Sequence, residues 1–232
     1  MFALASSPVM AQELSVSLGD GASISARSIQ LIILITVLSL APGLAIMITC
    51  FPFLVTVLSI LRQAIGLQQS PPNMLLVSLA LFLTYFIMEP TFTAAWENGI
   101  EPLVKEEITV EQAFPRTMAP FREFMTARLD PETYAALASL RPDQAQLTPS
   151  VDSPLSVMIP SFMLSEVSRA FQIGFLVFLP FLIIDLVVAA VLMSMGMMMV
   201  PPAIVSLPFK LSFFVLADGW SLIAGSLVRS YF

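Results

Sequence analysis

The sequence predicts an all-α membrane protein in which broken hydrophobic helices form hairpins on either side of a helical extramembrane insert. Hydrophobic residues make up 57% of the 232 positions and charged residues only 11%. Such a composition cannot cover a globule with charge, so most of the surface must face lipid or other protein. A Pro-rich acidic block over residues 89–153 separates two apolar regions that are too long for the core of a soluble domain of this size.

Charge and residue usage exclude several classes of function. Residues 89–153 hold eleven acidic and five basic residues, a net charge of -6, whereas the rest of the chain has five of each. No basic surface is therefore expected for nucleic acid. Cys50 is the only cysteine and histidine is absent, which excludes an internal disulfide, a cysteine-rich zinc site and a His-dependent catalytic triad. We expect no catalytic site, metal or cofactor.

The N-terminal segment, residues 1–28, is predicted to contain a signal-peptide remnant. Val9-Met10-Ala11 resembles the small-residue end of a signal peptide, but a positive n-region and a full apolar h-region are missing. Residues 13–28 are rich in Ser and Gly and have no sustained apolar period. We expect a flexible terminus with a signal-peptide remnant.

The first hydrophobic region covers residues 29–88. Residues 29–61 would extend about 50 Å as a helix, which exceeds a bilayer core of about 30 Å. Pro42-Gly43 and Pro52 are the natural break points, so two helical pieces are expected.

A further helix of this region follows a proline turn. Pro71-Pro72 opens it, and the apolar residues 74–88 are long enough for a buried or barely spanning segment. Glu89-Pro90 is expected to stop the helix, because proline lacks a backbone donor and clashes with the preceding turn. Arg62 is the clearest cation of a short loop, and placing it on the cytoplasmic side puts the acidic insert on the other side of the membrane.

The insert, residues 89–154, is predicted to be helical and amphipathic. Thr109 with Gln112 three residues later fits a capping box, and apolar residues recur after it at helical spacing. Asp130 followed by Pro131 restarts a helix, with Asp as N-cap and Pro in the first turn.

The second hydrophobic region covers residues 155–232. Pro160 and Pro180 are expected to break the apolar residues 155–200 into a pair of helices. Pro201-Pro202 makes the turn before the last apolar stretch. Each half of the chain therefore has a long broken stretch, a Pro-Pro turn and a shorter stretch, a loose symmetry of the kind found in transporters.

Asp185 lies within an apolar run, where a charge at the centre of a bilayer helix costs about 2.5–3.5 kcal/mol. It therefore needs a compensating partner or water. One interpretation is a helix that never reaches the lipid midplane, with the carboxylate capping or facing an aqueous lumen, and this one is favoured. The other is a proton-carrying carboxylate, although a chain without histidine offers few intermediates for a proton relay.

Glu166 and Lys210 are the other outstanding charges, 44 positions apart and each flanked by apolar residues. Pairing across a packed interface would remove two desolvation penalties together. The local alternative is Glu166 with Arg169, an i,i+3 pair that contributes a few tenths of a kcal/mol. From the residues alone the local pair is favoured.

The run before Pro201 is rich in methionine, at Met193, Met195, Met197, Met198 and Met199. Thioethers fill irregular core space well, and core filling is the plainer interpretation. Three consecutive methionines cannot all face one side of a helix. This favours a loop whose flexible apolar side chains could close a pore against water and ions.

Longer motifs occur in both halves of the chain. The first half contains Leu61-Arg62-Gln63-Ala64-Ile65-Gly66-Leu67-Gln68-Gln69, Pro71-Pro72-Asn73 and Leu79-Ala80-Leu81-Phe82-Leu83-Thr84. The second half contains Phe162-Met163-Leu164-Ser165-Glu166-Val167, Ala170-Phe171-Gln172-Ile173-Gly174-Phe175, Gly196-Met197-Met198-Met199-Val200-Pro201-Pro202, Leu207-Pro208-Phe209-Lys210-Leu211 and Asp218-Gly219-Trp220. In this order they resemble the FliP family of flagellar biosynthesis proteins, whose counterparts in virulence secretion are the SctR subunits of injectisome export gates. The resemblance covers residues 27–232.

The resemblance implies a non-enzymatic core subunit of the flagellar type III export gate in the bacterial inner membrane, at the flagellar basal body. It implies a ring of helices, a pentamer within a hetero-oligomer with FliQ and FliR, beside FlhB and FlhA. Exported flagellar proteins would pass through its central channel. The resemblance also implies contact with membrane lipid, a periplasmic insert, and a helical cone that lies largely above the membrane plane.

Residue by residue, the resemblance assigns Met197, Met198 and Met199 to the methionine gasket that seals the closed channel in the family. Glu166 and Lys210 match a charged pair that links neighbouring subunits, which reverses the preference for the local pair. Asp185 falls on an acidic family position without an assigned role.

The main alternative is an ion-coupled secondary transporter, supported by Asp185, the broken helices and the two-half symmetry. An intramembrane hydrolase has little support, because Asp185 has no obvious aspartyl partner in the apolar runs.

Overall fold

A computed structural model describes residues 24–67, 70–141, 148–197 and 199–232. This part of the chain contains α-helices, one short π-helical segment and no strand, which confirms the predicted all-α fold class. The helices are α1 (Ile24–Met47), α2 (Phe51–Ile65), α3 (Asn73–Ala95), the π segment (Trp96–Ile100), α4 (Glu101–Val104), α5 (Val110–Arg128), α6 (Pro131–Ser139), α7 (Leu155–Ser194), α8 (Pro202–Leu216) and α9 (Gly219–Arg229).

The chain divides into two units between Pro42 and Gly43. In the first unit, the described residues form the N-terminal part of α1, whose apolar side chains such as Ile32 and Leu38 are exposed. The predicted signal-peptide remnant lies outside the described residues. The second unit, residues 43–232, contains all the other helices.

Helix α2 forms the centre of the second unit, where it packs against α7 and α3 and also contacts α8. Its buried residues recur at helical spacing and include Phe53, Val57 and Leu61. Gly174 of α7 lies against Ile60, and a Cβ atom at position 174 would come within 2.4 Å of the Ile60 side chain. The missing side chain therefore lets the two helices approach closely.

The insert is helical and amphipathic, as predicted. The backbone N–H of Thr109 donates to Gln112 Oε1 at 3.5 Å, and the backbone N–H of Thr133 donates to Asp130 Oδ2 at 2.9 Å. Both predicted caps are thus confirmed. Helix α5 buries residues such as Met125, which joins an apolar cluster with Tyr134 of α6 and other buried side chains of α7. This cluster anchors the insert to the start of α7.

The helix ends predicted at prolines are mostly wrong. Helix α1 continues through Pro42-Gly43, so the break predicted there is wrong. The two predicted helical pieces are present, and the chain breaks just before α2, next to Pro52, the other predicted break point. Helix α3 continues past Glu89-Pro90 to Ala95, so the predicted boundary at residue 89 falls inside a helix. A proline inside a helix removes one donor, whereas ending the helix in apolar surroundings would leave several backbone groups unpaired.

Helix α7 is a single helix of 40 residues with Pro160 and Pro180 inside it, so the predicted break into a helix pair is wrong. It begins at the residue predicted to open the second hydrophobic region. Among the described residues, three helical stretches are long and apolar enough to cross a membrane, namely Ser28–Met47, Asn73–Val104 and Leu155–Ser194. Helices α8 and α9 meet at a bend of 62° and together could form a broken span.

Gly99→Ala is expected to destabilise the packing of the π segment on α5 by about 1–3 kcal/mol, the usual effect of overpacking. A Cβ atom there would lie 2.7 Å from the backbone nitrogen of Thr117 and 2.1 Å from its hydroxyl oxygen. Chemical unfolding of the purified chain in detergent measures the loss. Gly43→Ala is the matched control, because no atom lies within 4 Å of its added Cβ. An equal response of the two variants would contradict the prediction.

Candidate functional site

Asp185 of α7 is paired with Lys210 of α8. Lys210 Nζ lies 2.6 Å from Asp185 Oδ2, and the Ser206 hydroxyl donates to Asp185 Oδ1 at 2.5 Å. Lys210 Nζ also donates to the carbonyl oxygen of Ala64 at 3.1 Å, in the last turn of α2. A cation is favourable there, because the last carbonyls of a helix lack intrahelical partners and carry partial negative charge. This cluster joins α2, α7 and α8 through one buried lysine.

The partner that Asp185 was expected to need is therefore a cation of the same chain. The Lys210 side chain is 7% exposed and the Asp185 side chain 30% exposed. The pair is thus largely withdrawn from solvent, with the carboxylate at its wetter end. Because the Asp185 carboxylate already has two partners that join α7 to α8, its contacts favour a structural role over proton carriage.

Glu166 of α7 is fully buried. Its carboxylate accepts hydrogen bonds from two parts of the chain that are distant in sequence. Arg128 at the end of α5 places its Nε 3.1 Å from Glu166 Oε1, and the Tyr231 hydroxyl donates to Glu166 Oε2. Arg169, the local partner predicted from sequence, lies farther away, with its Nη1 3.8 Å from Glu166 Oε1. The strongest ion pair of Glu166 is thus with the insert.

The chain does not pair Glu166 with Lys210, since each charge has another partner within it. The predicted pairing of these two residues between neighbouring subunits stays a prediction. It would require both side chains to exchange the partners that they have in the single chain.

Met193 lies in the last turn of α7, and residues 195–197 and 199–201 belong to the loop between α7 and α8. Gly196 has a φ of 73°, and its N–H donates to the carbonyl of Met193 while the N–H of Met197 donates to the carbonyl of Leu192. These two bonds form a Schellman motif, which ends a helix on a left-handed glycine. Met197 is 42% and Met199 97% exposed, whereas Met198 lies outside the described residues. The loop interpretation is thus confirmed, and core filling does not apply to Met199.

An apolar groove lies beside this loop. It has a volume of about 580 Å³ and runs between the C-terminal half of α7 and α8, with Met195, Met197, Val205 and Phe209 in its wall. Met195 and Met197 therefore form one continuous apolar surface with α7 and α8.

Burial also raises the pKa of two titratable groups near Glu166. It raises the pKa of the Cys50 thiol to about 12. Burial, and then the charge of Glu166, hold the pKa of the Tyr231 phenol well above its usual value, so the hydroxyl remains a hydrogen-bond donor. Within the described ranges, no three His, Cys, Asp or Glu side chains group in a way that could hold a metal ion.

Comparison with known proteins decides the family. A sequence profile of the FliP family matches residues 34–227, most of the chain. The chain belongs to the FliP family. The flagellar biosynthetic protein FliP of Caulobacter vibrioides is 53% identical over 96% of this chain and 84% of its own length. FliP of Rhizobium meliloti is 51% identical over 85% of this chain and 81% of its own length. FliP of Bacillus subtilis is 47% identical over 88% of this chain and 92% of its own length.

The sequence analysis of this FliP-family chain did not predict two residues that contact Glu166. Arg128 lies 38 positions from Glu166 and Tyr231 lies 65 positions from it. No periodic pattern links such positions. Arg169 is the cation that local spacing offers to Glu166, whereas Arg128 is the basic residue that ends the amphipathic helix of the insert, far from Glu166 in the chain.

Proposed function

We propose that the chain is a channel-forming subunit of the flagellar type III protein export gate. Several copies would assemble with FliQ and FliR, and beside FlhB and FlhA, in the bacterial inner membrane at the flagellar basal body. Exported flagellar proteins would pass through the ring, and the insert would lie on the periplasmic side. The observation that carries the proposal is membership of the FliP family over most of the chain, combined with an exposed methionine loop at the end of a very long apolar helix.

The length of α7 supports assembly with other protein chains. Its 40 residues extend about 60 Å at 1.5 Å per residue, roughly twice the hydrocarbon core of a bilayer. Large apolar side chains are nevertheless exposed along most of it, among them Leu164, Phe175 and Val191. Lipid cannot cover an upright helix of this length, so sister copies and partner subunits would cover the remainder.

The structure of the methionine loop supports the proposal that it seals the closed channel. A left-handed glycine ends α7 and turns the chain out of the helix, Met199 is almost fully exposed, and thioether side chains are long, unbranched and apolar. Copies of the loop around a channel axis would exclude water and ions from the closed channel. The same side chains could separate when a polypeptide passes, because unbranched side chains change rotamer readily.

Replacing Met197, Met198 and Met199 together with Ala is expected to leave ring assembly intact and to raise small-ion leakage several-fold. Membrane conductance of cells or of reconstituted rings measures the leak, and gel filtration measures assembly. Met74→Ala is the matched control, because Met74 is also strongly exposed but lies at the start of α3. Assembled triple-variant rings that conduct no more than the control would contradict the gasket.

A secondary transporter is separated from a gate subunit by purification. The gate subunit should copurify as a stable multi-copy ring, whereas a transporter would survive as a small unit that responds to its solute. Asp185, the main support for transport, is engaged by Lys210 and Ser206, which weakens the transporter interpretation.

A further inference from the structure

The last residues of the chain return to the core after α9. The carbonyl oxygen of Ser230 accepts from Arg128 Nη1 at 2.9 Å. The ring of Tyr231 lies under the same guanidinium, with its centroid 3.9 Å from Arg128 Cζ, and its hydroxyl donates to Glu166. The C-terminus therefore contacts both members of the buried ion pair.

The ring of Tyr231 also packs between two other helices. It meets Phe53 of α2 edge-on at 5.5 Å and stacks on Phe124 of α5 at 6.0 Å, measured between ring centroids. Aromatic pairs at these separations contribute stabilisation beyond burial, and so does a guanidinium over a ring. One side chain thus contacts the central helix, the insert, and the buried carboxylate of α7.

Helix α9 is attached to the rest of the fold mainly through its C-terminal half, where Leu227 joins the main apolar core and Ile223 and Val228 pack against it. It follows the bend at Asp218, which has a φ of 47°, and only Gly219 and Leu227 of its residues are buried. Leu222, in the middle of the helix, is 59% exposed. The position of α9 is therefore fixed by the bend at one end and, at the other end, by Leu227 together with Tyr231.

We propose that Tyr231 is a C-terminal latch, which holds α9 and the insert helix α5 closed over the Glu166–Arg128 pair and the apolar core beneath it. Release of the latch would let α9 move away from the insert and would expose the N-terminal end of α2. Cys50 lies at that end and is fully buried in the closed form. Cys50 belongs to the same apolar cluster as Tyr231, and Phe53, one turn further along α2, contacts the Tyr231 ring, so the thiol lies beside the latch.

Alkylation of Cys50, the only cysteine, by a maleimide tests the latch in the full-length chain purified in detergent. We expect Tyr231→Ala to be alkylated about tenfold faster than wild type or more, because a lost aromatic anchor shifts a local opening equilibrium by roughly that factor. Phe232→Ala is the matched control, since Phe232 is the neighbouring aromatic residue and is 78% exposed. It should react at the wild-type rate.

Tyr231→Phe covers the case in which Tyr231→Ala does not fold. It keeps the ring but loses the hydrogen bond to Glu166, so its alkylation should be a few-fold faster than that of wild type. Wild-type reactivity of a folded Tyr231→Ala chain, or of Tyr231→Phe if the alanine variant is unfolded, would overturn the latch. The measurement needs neither a ring nor export, so its failure is distinguishable from failure of the gate proposal.

Discussion

Arg128→Met is expected to lower the free energy of unfolding by about 3–5 kcal/mol, the usual loss when one partner of a buried ion pair is removed. Glu166 is fully buried, and without Arg128 its charge would depend on Arg169, whose side chain is 37% exposed and whose nearest nitrogen is 3.8 Å away. The variant also loses the guanidinium–ring contact with Tyr231. Unfolding of the purified chain in mixed detergent micelles measures the loss.

Two controls separate this effect from a general effect of the substitution. Arg116→Met makes the same change on an exposed position of the same helix and should cost well under about 1 kcal/mol. Adding Glu166→Gln to Arg128→Met should recover part of the stability, because the uncompensated charge is then gone. The prediction fails if Arg128→Met unfolds no more easily than Arg116→Met, or if the second substitution recovers nothing.

Local chemistry made the caps and the methionine loop predictable from sequence. The caps at Thr109 and Asp130 depend on bonds that span three residues, so the residues that decide them are neighbours in the chain. The two bonds at Gly196 that end α7 likewise span only a few residues. A glycine followed by three methionines and two prolines therefore predicts a helix end and a loop regardless of what surrounds them.

The helix breaks predicted at prolines were wrong because the local effect of proline competes with the effect of the apolar surroundings. In water, a helix broken at Pro90, Pro160 or Pro180 would satisfy its freed backbone groups with solvent. In an apolar environment each break would leave several donors and acceptors unpaired, whereas a continuous helix loses only the one donor that proline lacks. The same reasoning explains why α7 is one helix of 40 residues, although its internal prolines predict a shorter helix.

The local pair of Glu166 with Arg169 was predictable from its i,i+3 spacing and is present at 3.8 Å, but the charge partners that are distant in the chain could not be predicted, because nothing in the sequence relates them. Arg128 and Glu166 are 38 positions apart, and Asp185 and Lys210 are 25 apart. The sequence indicated only that Glu166, Asp185 and Lys210 each needed compensation. The choice among partners was made by which helices pack together, which is a property of the tertiary fold.

Lys210→Glu is expected to abolish ring assembly and to destabilise the single chain. It would place a second carboxylate next to Asp185, where Lys210 Nζ now lies 2.6 Å from Oδ2, and would remove the cation that caps the last turn of α2. Two carboxylates in one largely buried site repel each other strongly. Unfolding in detergent reports the effect on the chain, and gel filtration of the solubilised complex reports the effect on the ring.

The choice of second substitution distinguishes a pair within the chain from a pair between subunits. Adding Asp185→Lys to Lys210→Glu restores opposite charges across the contact seen within the chain, so we expect it to recover chain stability. Adding Glu166→Lys cannot do so, because Glu166 is held by Arg128 in another part of the fold. It should instead recover ring assembly in part if the two residues pair between neighbouring copies. Recovery of ring assembly by Asp185→Lys and not by Glu166→Lys would leave Lys210 as a residue that acts within one subunit, through Asp185 and α2.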